Sequence, residues 1–237
     1  MTSLPRQWLI TYTALLLMVF VGGGVFFVHQ EELNHRQVVN QLESIAQLKI
    51  RQILQWRGER LGDGQVIVDS PFVADMVADW LTDPRPDQTA RIQAWFAALK
   101  KNYQYADVLL LDAQGRIRLG QNSNHEPLAQ GTLDILAEAT RQKKALLTDL
   151  HQLGHRPPHQ GVISPLFAQQ GEDQRFVGTL VLLIDAQQFL YPMLQNWPVI
   201  SASAETLLVR RDGDEVLFLN ELRHRRDTAL RLRVPVN

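Results

Sequence analysis

The chain contains no cysteine, which excludes a disulfide framework and any thiolate-ligated zinc or iron–sulfur centre. A surplus of charge of either sign is missing too. Its 24 basic and 25 acidic side chains leave a formal net charge of −1, too even a balance for the electrostatic footprint of a nucleic-acid binder. No low-complexity tract and no internal repeat is visible. Catalytic signatures are absent as well: the sequence has no Gly-x-Ser-x-Gly elbow, no His-Glu-x-x-His helix and no phosphoacceptor histidine in a helical box. His151, His155 and His159 are spaced by four, a metal-binding interval on a helix. Gly154, Pro157 and Pro158 forbid that helix, so the three read as solvated loop histidines. No catalytic residue, metal or cofactor is expected.

What the sequence does have is a long uncharged run, Leu9 to Val28. At about 20 residues and 1.5 Å rise per residue it matches the ~30 Å hydrocarbon core of a bilayer. Trp8 sits at its edge, where an indole favours the headgroup level, and Arg6 lies just outside. After Val28 the chain turns polar at once with His29, Gln30, Glu31 and Glu32. The basic residue predicts residues 1–8 in the cytoplasm and the bulk of the chain outside, and the absence of cysteine suits, without demonstrating, a bacterial periplasm beyond the inner membrane. A cleaved signal peptide is the rival reading. The run is long for one, and the exit after Gly22-Gly23-Gly24 offers no clear small-x-small cleavage site.

Glu31 to Leu61 predicts a long spine helix over 29–62, with Val38, Leu42, Ile45 and Leu48 on one face and Gly62-Asp63-Gly64 as its stop. Such a helix must pack along its length, as the core-facing spine of the outer domain, as the seam of a homodimer, or both. Asp69-Ser70-Pro71 opens a second helix and Asp83-Pro84-Arg85-Pro86 closes it. A third carries Ile92, Trp95, Phe96 and Leu99. The period then changes. Val108 to Leu111, a turn at Asp112-Ala113-Gln114-Gly115, and Arg116 to Leu119 predict a hairpin. A helix at Thr132–Gln142 follows, then strands at Ala145–Leu150, Gly161–Phe167 and Phe176–Ile184. This order predicts an α+β fold: a five-stranded antiparallel sheet over 63–196 with helices on one face. A helix at Gln187–Asn196 leads to further strands at Ala204–Arg210, Glu215–Asn220 and Ala229–Val236. Residues 197–237 thus read as the start of a second, incomplete sheet domain, its partner strands lying in sequence beyond Asn237.

Two stretches carry a resemblance: Phe189-Leu190-Tyr191-Pro192 with Trp197-Pro198 and Ala204 to Val209, and Glu215 to His224 followed by Leu230 to Pro235. With the order of membrane helix, spine and two sheets, they resemble the double Cache (PAS-like) periplasmic sensor regions of bacterial sensor histidine kinases and diguanylate cyclases. The resemblance implies a membrane-distal and a membrane-proximal sheet module and a small-molecule ligand held against a sheet. The output kinase or cyclase lies outside this chain. Gly213-Asp214-Glu215 is close to the Gly-Gly-Asp-Glu-Phe hairpin of cyclases, yet Asp212 and Val216 break that motif and leave a strand turn. In such a sensor Tyr105, Arg118, Asp149, His151 and Ser164 are the candidate polar contacts to the ligand. An Arg-x-Trp-Tyr-like motif, which marks the amino-acid-binding versions, is missing, so the resemblance does not extend to an amino-acid ligand and the ligand's identity stays open. The alternative to a sensor is a membrane-anchored structural protein that docks a periplasmic protein; a tightly filled distal sheet without a cavity would favour it.

Overall fold

The computed structural model describes residues 6–120, 128–152, 154, 157–198 and 203–236. The chain divides into two compact units at Ile50/Arg51. Helix α1, Arg6–Val68, runs from one into the other. In the first unit this helix is the whole described structure. Its side chains from Ile10 to Val28 are exposed and, apart from Thr11, Tyr12 and Thr13, apolar, and α1 carries a stretch long and apolar enough to cross a membrane.

The second unit is α+β. It begins with the last turns of α1, then α2 (Pro71–Thr82) and α3 (Pro86–Tyr103). Ser70 caps α2, its Oγ accepting the Val73 N–H at 3.4 Å, and Pro71 occupies the first helical turn. Trp80 donates its indole N–H to Thr89 Oγ1 at 2.8 Å and so ties α2 to α3. Strands β1 (Asp107–Asp112) and β2 (Ile117–Gly120), helix α4 (Gln130–Gln142), and strands β3 (Leu146–Leu147), β4 (His159–Gln170) and β5 (Asp173–Asp185) follow. They form an antiparallel sheet in the order β2-β1-β5-β4-β3.

The strands alternate between two buried faces. Val108, Leu110, Val162, Leu166, Leu180, Leu182 and Ile184 pack with Trp56 and Ile67 of α1, Val77 of α2, and Ile92 and Phe96 of α3. Leu109, Leu111, Ile163, Val181 and Leu183 pack with Ala139, Ile135 and Leu136 of α4. The helices therefore cover both faces, where the sequence predicts one. An unbroken apolar run such as Val108–Leu111 is the pattern of a strand buried on two sides. Each leucine buried this way contributes about 1.5–3 kcal/mol.

A second departure is the end of α1. The glycines at 62 and 64 predict a stop, yet the helix runs on to Val68. Gly64 instead seats the helix on the sheet: a Cβ there would lie 2.5 Å from Val162 Cγ1, 2.9 Å from Ser164 Oγ and 3.0 Å from Ala145 Cβ. The missing side chain is what permits the approach.

Helix α5 (Leu190–Gln195) leads to a small sheet, β6-β7-β8, of Val209–Asp212, Glu215–Phe218 and Arg233–Pro235. Its strands, like β3, are shorter than the sequence predicts: side chains replace ladder bonds at β3 and around β6 and β7, and ahead of β8 the chain turns at Leu230, whose φ is 60°. Thr148 Oγ1 accepts the Gly161 N–H at 2.8 Å just past β3. Ahead of β6, Asn220 Oδ1 accepts the Leu208 N–H at 2.6 Å and Asn220 Nδ2 donates to Thr206 O at 3.1 Å.

Candidate functional site

On the first face of the five-stranded sheet the end of α1 and the end of α3 leave a cavity of about 310 Å³. From α1 it takes Asp63, Val66 and Ile67; Ser70 and Val73 come from the start of α2. Trp95, Leu99 and Tyr103 of α3 form another wall, and Tyr105 and Leu182 complete the lining. The helical positions follow from spacing. Trp95 and Leu99 are one turn apart, as are Asp63 and Ile67, so each pair shares a helix face.

One end of this apolar cavity is polar. The buried Tyr105 hydroxyl donates to Asp63 Oδ2 at 2.6 Å. Arg60 lies 3.4 Å from the same oxygen and donates from Nη1 to Tyr103 O at 3.0 Å. Its guanidinium also stands 5.2 Å from the centre of the Tyr105 ring, a cation–π distance. Burial, reinforced by the bond to Asp63, pushes the Tyr105 phenol far above its ordinary range. Tyr105 is therefore a neutral donor at every physiological pH, and the cluster offers an acceptor whose charge Arg60 already balances.

Of the five residues the sequence nominates, Tyr105 alone lines this cavity; the other four lie elsewhere. Ser164 is buried on β4 beneath Gly64 of α1, its Oγ without a hydrogen-bond partner. Arg118 reaches Asp112 at 3.4 Å across the β1–β2 hairpin, beside Arg116 at 2.9 Å. The exposed Asp149 pairs with Arg210 of β6 at 3.0 Å, linking the two sheets. His151 faces His159 across a bridge, with ring centres 4.4 Å apart, and its Nδ1 lies 2.9 Å from Asp149 O. His155 falls outside the described residues. Among the described residues no group of three or more metal-ligating side chains occurs.

Asp63, Trp95 and Tyr103 were not nominated. Asp63 lay hidden in a glycine pair that reads as a helix end, and Trp95 in an ordinary apolar stripe. A larger cavity of about 610 Å³ lies beside the small sheet, lined by Trp197, Glu205, Thr206, Asn220 and Arg223 among others. Its polar groups largely hold one another: Glu205 Oε2 accepts the Arg223 N–H at 2.7 Å and Arg223 Nη1 donates to Ala204 O at 2.9 Å.

The motif stretches are structural clasps. Phe189 stacks on Trp56 with ring centres 5.7 Å apart, and the Tyr191 hydroxyl donates to Leu219 O at 2.6 Å. No family model and no curated protein matches the sequence. Solved structures do match. The ligand-binding domain of the Pseudomonas fluorescens chemoreceptor CtaA, in complex with L-serine, superposes with a TM-score of 0.50 at 12% identity, over 83% of this chain and 77% of that one. The fold is Cache-like. A lower-scoring match is the extracellular domain of a chain assigned as a histidine kinase (TM-score 0.45, 14% identity, 77% and 72% covered). Another is the Pseudomonas aeruginosa PAO1 amino-acid chemoreceptor PctB with L-Gln (TM-score 0.39, 14% identity, 72% and 70% covered). The likeness to the CtaA domain speaks to the fold alone.

Proposed function

We propose that this chain is the extracytoplasmic ligand-sensing region of a membrane-anchored bacterial signal-transduction receptor, with the ~310 Å³ cavity as its ligand site. The observation that carries the reading is that cavity: an apolar recess with one polar end, set between a rigid sheet and the last turns of a helix. Residues 9–28 then serve as the inner-membrane anchor with residues 1–8 cytoplasmic, and 29–62 as the spine. Residues 63–196 form the membrane-distal module and 197–237 the start of the membrane-proximal one. A ligand acts by favouring one packing of Asp63, Val66 and Ile67 on the sheet over another, a difference borne by the helix that also contains the apolar stretch. The kinase or cyclase output belongs to the longer protein, and this region performs no catalysis of its own. The docking alternative expects a filled sheet face and is disfavoured by the recess.

The test is a thermal-shift screen of the full chain in lipid nanodiscs against small metabolites. Binding stabilises by RT ln(1 + [L]/Kd), about 2.7 kcal/mol at a hundredfold excess over Kd, so a hit is readily seen. A rise in Tm that Leu99→Trp abolishes supports the assignment, whereas a panel with no stabilising compound sinks it. A reporter fused after residue 196 that is active only in the cytoplasm would overturn the proposed orientation.

A further inference from the structure

We infer that the cavity takes a small uncharged aromatic molecule, of about bicyclic size, carrying one hydrogen-bond donor. This rests on the sensing role proposed above and names its ligand class. Size comes first. An enclosed cavity of ~150 Å³ holds benzene; this recess is about 310 Å³ and opens to solvent beside the exposed Val66 and Tyr103, room for two fused rings with one edge outward. Its walls come second. Trp95, Tyr103 and Tyr105 present three aromatic surfaces, and Leu99, Ile67 and Leu182 supply apolar contact.

Charge decides the rest. The single ionisable carboxylate in the lining is Asp63, and its Oδ2 already serves Tyr105 and Arg60. Among the described residues no donor reaches Oδ1, so that oxygen is left to accept one N–H or O–H from an occupant. An ammonium would gain little there, because Arg60 lies 3.4 Å from the carboxylate and repels a second cation. A carboxylate would fare worse, since it would face Asp63 with no free cation in the lining. Arg60 does not line this cavity: its Nη1 is held on Tyr103 O, its Nε is buried without a partner, and it borders a separate recess of about 70 Å³. A zwitterionic amino acid suffers both penalties and would lose the hydration of two charges for one incomplete partner.

Calorimetric titration of the full chain in nanodiscs, with empty nanodiscs as blank, tests this using indole, 1-methylindole, L-tryptophan and L-serine. Indole is expected to bind. Removing its N–H in 1-methylindole should weaken binding roughly tenfold, the scale of one hydrogen bond to a charged acceptor. L-tryptophan and L-serine should give no heat. Leu99→Trp, which fills the cavity from a half-buried position, should abolish indole binding while keeping the thermal transition. Binding of L-serine or L-tryptophan that Leu99→Trp blocks would overturn the ligand class and leave the sensing role standing. Equal affinity for indole and 1-methylindole would remove Asp63 as the anchor and overturn the donor requirement. Absence of heat from all four probes, with Leu99→Trp raising Tm, would overturn the class, and the metabolite screen then decides the sensing role separately.

Discussion

The two sheets of the second unit are held by different physics. In the five-stranded sheet, β4 and β5 run for 12 and 13 residues and their central side chains are buried on both faces. In the three-stranded sheet the strands are 4, 4 and 3 residues long, and of these only Leu217 is buried. What the second lacks in apolar area it replaces with polar clamps. Asn220 holds Leu208 and Thr206, while Glu221 accepts from both the N–H and the hydroxyl of Thr228 at 3.0 Å. A sheet that excludes water from two faces can be tuned only by shape. One built on directed hydrogen bonds fails when a single acceptor goes.

The largest expected effect is therefore in the first sheet. Leu180→Ala, at a fully buried position, should cost about 4 kcal/mol in chemical denaturation, the sum of lost transfer energy and a cavity. Next comes Gly64→Leu, which forces the helix off Val162 and Ser164 and should cost about 3 kcal/mol by overpacking. A loss under 1 kcal/mol would mean that α1 is not seated as described. Asn220→Ala should cost about 2 kcal/mol and act locally. Hydrogen exchange should quicken in β6–β8 while β4 and β5 keep their protection; uniform loss of protection would erase the contrast between the sheets. Asp149→Ala, which breaks an exposed pair with Arg210, should cost less than about 1 kcal/mol.

Acid titration sharpens the same contrast from the hairpin side. Burial works against the Asp112 carboxylate, but the Arg116 and Gln114 backbone N–H groups and the Arg116 side chain outweigh it and hold its pKa below the ordinary value. A depressed carboxyl contributes stability that is complete above its unfolded pKa of about 3.9 and fades as pH falls through the folded value. Asp112→Asn should therefore flatten the loss of stability below about pH 4 and leave its slope near neutrality unchanged.

The order of elements in the first sheet can be read from the sequence because its signals are local. A continuous apolar run, a four-residue turn at Asp112–Gly115 and a Ser-Pro helix start each act within a few residues. Features that depend on long-range contact could not be read this way. Gly64 stops a helix by its propensity and continues one by its contact with Val162, and propensity is the weaker term once tertiary packing intervenes. The same holds for the site. Tyr105 can be picked out as an aromatic with a polar tip beside a strand. Asp63 lies 42 residues away from it in the chain, and no spacing rule connects the two.

The bare backbone of α1 at Gly64 also limits how the helix can move on the sheet. Sliding the helix along its axis by one turn would bring Arg60 or Val68 onto Val162, where there is room for a hydrogen and nothing larger. Such a ratchet is sterically closed. What stays open is pivoting or swivelling about this point, so under the sensing role proposed above a spin label near the end of α1 should change its angle to the sheet on ligand binding while its height above Val162 stays constant.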